Sequence, residues 1–212
     1  MLPYLFLITL VSFCSVLDYV KLNTKSRKIL LVLLIGLLIM FCGTRFETGN
    51  DWTAYVDTFN RIPPFESLCN NPEMFVVSRM EPGYVILNSI VKSLGGTIDI
   101  VFLISCIITV GLLFIALNRY SFFCFLAILL YMRYGYLQAN MMFVRQGIAV
   151  SIFFISLKYV EERKFWQYIA INIIAILFHS SLYIVLPLYF FLNRRYSCLL
   201  YTSPSPRDMR RS

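Results

Sequence analysis

Between residues 98 and 191 the chain runs through long apolar stretches that are almost free of charge, and this limits what it can fold into. A run of about 20 apolar residues matches the roughly 30 Å hydrocarbon core of a bilayer when it is helical. Arg145 and His179, the only histidine, lie inside or at the lip of these runs. An arginine at membrane depth costs roughly 2.5–3.5 kcal/mol on insertion scales, so its presence points by default to a functional site. Composition agrees, with 59% of residues hydrophobic and 14% charged, against about 25% charge in an average soluble domain. The expected fold is all-α, a polytopic bundle of transmembrane helices.

The expected spans are 2–20, 29–43, 98–117, 122–136, 142–160, 166–178 and 182–192. The first lacks a basic leader and a small-residue cleavage motif, so it reads as a retained helix and not as a secretory signal. Lys21, Lys25, Arg27 and Lys28 crowd the connection that follows it. Positive residues mark cytoplasmic loops, so that connection is inside and 44–82 is an external loop. The loop carries Glu47, Asp51, Asp57, Glu66, Glu73 and Glu81 against Arg45, Arg61 and Arg79. Pro63-Pro64, Asn70-Asn71-Pro72 and Glu81-Pro82-Gly83 punctuate it as turns.

Segment 83–94 is too short to cross a bilayer at about 1.5 Å per residue. Tyr84, Leu87, Ile90, Val91 and Leu94 mark one helical face with Asn88 and Lys92 off it, which predicts an interfacial or re-entrant helix. With 83–94 on the surface, Arg119, the cluster Glu161-Glu162-Arg163-Lys164 and Arg194-Arg195 all fall inside. If it spanned, that cluster would be outside, against the positive-inside rule. The short halves around His179 form a hairpin, or alternatively one broken or tilted helix of about 27 residues.

Several function classes are excluded. The net charge of +8 resides in short loops beside helices, where it orients the protein and meets anionic lipid, so nucleic acid is not an expected partner. The six cysteines include no CxxC pair, and four lie in apolar runs as small hydrophobes. One histidine and scattered carboxylates supply no metal-ligand set, and no cofactor is implied. There is no DxD string, no Gly-rich phosphate loop and no GxSxG elbow.

In this topology the acidic loop, Arg133, Arg145 and His179 converge on the external leaflet, where a lipid-linked anionic head group can meet a carboxylate. The strings TRFETGNDWTAY (44–55), EPGY (81–84), RQGIA (145–149) and FHSSLYIVLP (178–187), in that order and spacing, carry a resemblance. The chain resembles the EpsG family of exopolysaccharide-biosynthesis membrane proteins, which are related more distantly to Wzy-type O-antigen polymerases.

That resemblance implies a polymerase joining undecaprenyl-diphosphate-linked oligosaccharide repeat units at the outer face of a bacterial cytoplasmic membrane. Its implied partners are the lipid-linked oligosaccharide, membrane lipids, and flippase and chain-length regulator proteins. Such chemistry needs a cation for the departing diphosphate and a base for the attacking hydroxyl. Arg145 suits the first role, with Gln146 and Arg133 as further diphosphate contacts; the plainer alternatives are snorkelling for Arg145 and an aromatic-belt position for Arg133. Asp51 and Glu81 compete as base, against plain roles as turn former and helix-terminus charge. His179 can serve as base or donor, or merely bond a backbone carbonyl at a helix break. A glycolipid flippase and a non-catalytic assembly subunit remain alternatives. The stretch 198–212, CLLYTSPSPRDMRRS, resembles translated sequencing-adapter read-through. The expected domain is therefore 1–197, the N-terminal part of a longer protein, followed by a non-native tail.

Overall fold

The computed structural model describes residues 2–20, 22–71, 73, 75, 78 and 80–192. Lys21, Pro72, Arg79, Arg194-Arg195 and the stretch 198–212 lie outside the described residues. Every regular element among the described residues is helical. The helices are α1 (Leu2–Ser15), α2 (Thr24–Gly43), α3 (Trp52–Arg61), α4 (Phe65–Asn70), α5 (Pro82–Ser93), α6 (Ile98–Tyr120), α7 (Cys124–Tyr131), α8 (Val144–Glu161), α9 (Phe165–Phe178) and α10 (Leu188–Leu192). A 3₁₀ turn prolongs α1 to Tyr19, and another, Ser180–Val185, joins α9 to α10.

Three of these elements are long and apolar enough to cross a membrane: Leu2–Tyr19, Thr24–Gly43 and Ile98–Tyr120. Helix α8 has 18 residues but carries Arg145, Lys158 and Glu161. Its neighbours Cys124–Tyr136, Phe165–Phe178 and Ser180–Leu192 are shorter apolar helices. Large apolar side chains such as Phe13, Leu33, Ile115 and Ile184 project outward, while Asn88, Asn140, Asn172, Ser105, Ser151 and Ser156 are buried. Apolar outside and polar inside is the arrangement hydrocarbon selects, with interhelical polar bonds such as Asn172 Nδ2 to Ser156 Oγ at 2.9 Å holding the bundle. The chain is a membrane protein.

Two ends of the bundle can be told apart by their contacts. At one, Arg27 donates to Asp18 at 2.9 Å and to the Phe122 carbonyl at 2.7 Å, and Arg119 pairs with Glu161 at 3.1 Å. At the other, Arg45 donates to the Asn140 carbonyl at 2.7 Å and stacks 4.0 Å over the Phe102 ring, while Tyr55 donates to the Met142 carbonyl at 3.3 Å. The C-terminus of α2 and the N-termini of α6 and α8 therefore share this second end.

Helix α5 begins and ends there as well. Glu81, just before it, reaches Arg145 in the first turn of α8, and α6 restarts beside Arg45 and Tyr55. Its buried face corrects the expected one. Tyr84, Val85, Asn88, Ser89 and Val91 are buried, whereas Ile90 and Leu94 are exposed. The physical reason is that α3 and α4 cover the helix: Lys92 donates to the carbonyls of Phe59, Asn60 and Ile62 at 3.0, 3.0 and 2.7 Å, capping the C-terminus of α3.

Three boundaries also differ from expectation. The loop 44–82 contains two helices, α3 and α4, with Tyr55, Phe59 and Leu68 buried. The run 122–136 does not stop at Tyr136: α7 continues through two π-helical segments, Met132–Tyr136 and Gln138–Met142. The polar string QAN stays helical because its groups find partners inside the bundle, Asn140 Nδ2 donating to Tyr131 Oη at 2.9 Å and to the Tyr136 carbonyl at 2.8 Å. Helix α8 therefore starts at Val144 rather than at 142. After His179 the chain turns back along α9, with Tyr168 donating to the Val185 carbonyl at 2.5 Å and its ring lying tilted against Tyr189, centroids 5.3 Å apart.

Candidate functional site

Glu81 stands at the N-cap of α5 in extended conformation, with Pro82 at the first helical position, where its missing N–H costs nothing. Its carboxylate makes no cap bond to its own helix. It turns into the bundle, where Oε2 pairs with Arg145 NH1, and Oε1 meets His179 Nδ1 at 2.8 Å and accepts from the Ser180 N–H at 3.3 Å. Gly83 makes this approach possible, since a Cβ there would stand 2.8 Å from the Leu177 carbonyl oxygen. Burial pushes the Glu81 carboxyl up, but its own backbone N–H, the Arg145 guanidinium, the Ser180 N–H and the His179 ring together hold it below its ordinary value of 4.5.

His179 occupies the break between α9 and the 3₁₀ turn. Its backbone is extended at φ −159°, ψ 125°, and its N–H still closes α9 on the Ala175 carbonyl at 3.1 Å. The ring leaves the helix axis there and faces the start of α5. Nδ1 meets Glu81 and the side chain is 26% exposed; in the tautomer whose Nδ1 carries the hydrogen, Nε2 is an acceptor.

Arg145 sits in the first turn of α8 and points inward to Glu81, so it does not snorkel to water. Its Nε is buried without a partner among the described residues. Close packing of α8 on the second π segment fixes its height, because a Cβ on Gly147 would lie 2.3 Å from the Ala139 carbonyl oxygen. The arrangement is a carboxylate held between a guanidinium and an imidazole, three groups drawn from three separate stretches of chain.

The other expected site residues are elsewhere. Asp51 precedes α3 with no cap bond, and its carboxylate forms no ion pair among the described residues. Arg133 is exposed and lies over its neighbour Tyr134, nine residues before Met142 along the continuous π-helical run. Its expected place at the lip assumed a helix ending at Tyr136. Gln146, one position on from Arg145, turns away into a cavity of about 430 Å³ between α6, the π segments and α8, shared with Leu113, Tyr131 and Phe154. Among the described residues no group of three His, Cys, Asp or Glu side chains gathers as metal ligands would.

Arg45 was treated in the sequence as one more loop charge. It is 5% exposed, and the available signal was its place two residues beyond the apolar run of α2.

The four strings that carried the resemblance thus supply the pieces of one end of the bundle. The EpsG family model matches residues 28–204. The chain belongs to the EpsG family. The match of this EpsG-family chain begins within α2, at Lys28, covers every later helix and runs past residue 198. A comparison with curated proteins finds no match, and a comparison with solved structures finds none either.

Proposed function

We propose that this EpsG-family protein polymerises lipid-diphosphate-linked oligosaccharide repeat units at the outer face of the bacterial cytoplasmic membrane. Orientation follows from charge: Lys25, Arg27, Lys28, Arg119, Arg163 and Lys164 belong to the end away from the site, and positive loops stay inside. Glu81, Arg145 and His179 then face outward.

The observation that carries the proposal is Glu81 bridging Arg145 and His179. Glu81 acts as a positioning residue: by accepting from Nδ1 it orients the ring and fixes the tautomer that leaves Nε2 free to accept, the logic of a carboxylate–histidine pair. His179 Nε2 takes the proton of the acceptor hydroxyl. The hydroxyl oxygen forms its bond to the anomeric carbon of the donor as the bond from that carbon to the diphosphate oxygen breaks, and the diphosphate leaves with the electron pair. The guanidinium of Arg145 stabilises the growing negative charge. Asp51, Arg133 and Gln146 are not needed for these steps.

Polymer length in cells expressing equal amounts of full-length variants tests this. His179→Ala, Glu81→Gln and Arg145→Ala should remove long glycan, each by about 10²–10⁴-fold in rate where base or charge stabilisation is lost, while Asp51→Asn keeps it. Long glycan surviving in all three would reject the proposal. Repeat units accumulating inside the cell would mark a flippase instead.

A further inference from the structure

Arg45 is a buried cation with no counter-charge among the described residues. One nitrogen, NH1, donates to the Asn140 carbonyl at 2.7 Å, and the guanidinium plane lies 4.0 Å from the Phe102 ring centroid. Nε and NH2 have no hydrogen-bond partner among the described residues, although the residue is 5% exposed. No carboxylate among the described residues pairs with it. The indole N–H of Trp52, against Phe46 next to Arg45, is also buried without an acceptor.

An unpaired charge and orphaned donors are among the most costly things to bury, and native interiors leave few of them. Here three nitrogens without acceptors, Nε and Nη2 of Arg45 and Nε1 of Trp52, stand at the two ends of one loop laid against the π-helical end of α7. Beside them opens a hollow of about 270 Å³ lined by Gly43, Thr44, Arg45, Phe46, Ile100 and Leu103, with Asp99 also in its wall. Asp99 is held by Thr97 at 3.2 Å and forms no ion pair with Arg45. Desolvation lowers the Arg45 pKa, with opposing effects from nearby cysteine and tyrosine groups.

We propose that Arg45 is the centre of a second, phosphate-type anion site, in which Nε and NH2 present a planar fork to two oxygens of one anionic group entering through this hollow. The ligand class is a phosphate or diphosphate oxyanion, whether carried by a lipid or free in solution. The site stands whether or not Glu81 and His179 carry catalysis.

The test is thermal stability of the purified full chain in lipid nanodiscs. In phosphatidylcholine discs, inorganic pyrophosphate at about 100 times its Kd should raise Tm by about 5 °C or more. In discs containing phosphatidylglycerol and no added anion, a similar rise would assign the site to a lipid head group. In an Arg145→Met background, which removes the other diphosphate contact, Arg45→Met should abolish either rise, and as a single variant in anion-free neutral discs it should be at least as stable as the parent, because it removes an uncompensated charge while keeping the stem. Glu81→Gln should keep the anion-dependent rise. No rise with either anion source, a rise undiminished by Arg45→Met in the Arg145→Met background, or a variant that loses the same stability with and without anion would each overturn the proposal, the last by showing that Arg45 only braces Asn140 and Phe102.

Discussion

His179 Nδ1 lies 2.8 Å from Glu81 Oε1, joining residues 98 positions apart in the chain. The contact exists because two helix ends, the N-cap of α5 and the C-cap of α9, are pressed together at Gly83 and Leu177. One consequence is that the acid and the imidazole work as a unit, so double variants should lose little beyond the worse single one. Polymer assays on Glu81→Gln, His179→Ala and the pair would measure this coupling, and fully additive losses would show that the two act separately.

The Glu81 pKa also sets a pH dependence. Its folded-state value is below 4.5, so the group contributes stability that is fully present above that value and is lost as pH falls through the folded value. Melting curves of the parent should therefore decline on acidification below about pH 4.5 more steeply than those of Glu81→Gln. Parallel declines would count against the pairing.

Substituting Gly83 by alanine places a methyl group 2.8 Å from the Leu177 carbonyl oxygen, which backbone cannot easily yield. Forcing α5 from α9 should cost about 1–3 kcal/mol and pull Glu81 from His179. The expected outcome is a lower Tm together with loss of long glycan, and an unchanged Tm would indicate that the helices have room to part.

Lys92 tests structure apart from chemistry. Its three bonds to the end of α3 are charge-assisted and partly buried, so Lys92→Met should destabilise by about 2 kcal/mol. Where the variant is held folded at low temperature, polymerisation should persist. Loss of activity without loss of Tm would instead place Lys92 at the substrate.

Sidedness can be read directly. Single cysteines replacing Asp51 and Lys164 should react with a membrane-impermeant maleimide from opposite faces, Asp51 from outside. Labelling of both from one face would end the outward assignment of the site.

Much was legible from the chain itself. Apolar runs of about 20 residues can hide their backbone from hydrocarbon only as helices, so an all-α membrane fold, the positions of its longest helices and the shortness of 83–94 followed from residue type and spacing. Arg145 and His179 stand out as candidates in the sequence because ionisable groups beside hydrocarbon are costly, and Glu81 because it precedes Pro-Gly at the start of a helix. What periodicity could not supply was partners. Nothing in QAN announces that Asn140 will bond Tyr131 and keep the helix going past Tyr136. Nor could it tell Glu81 from Asp51, or a solvated Arg45 from a buried one, since exposure depends on which helices lie alongside. Local sequence determined the helices and their charges; only packing decided that Glu81 faces two other groups, that Lys92 closes a helix and that Arg45 is buried with no counter-ion among the described residues, because those depend on contacts between segments tens of residues apart.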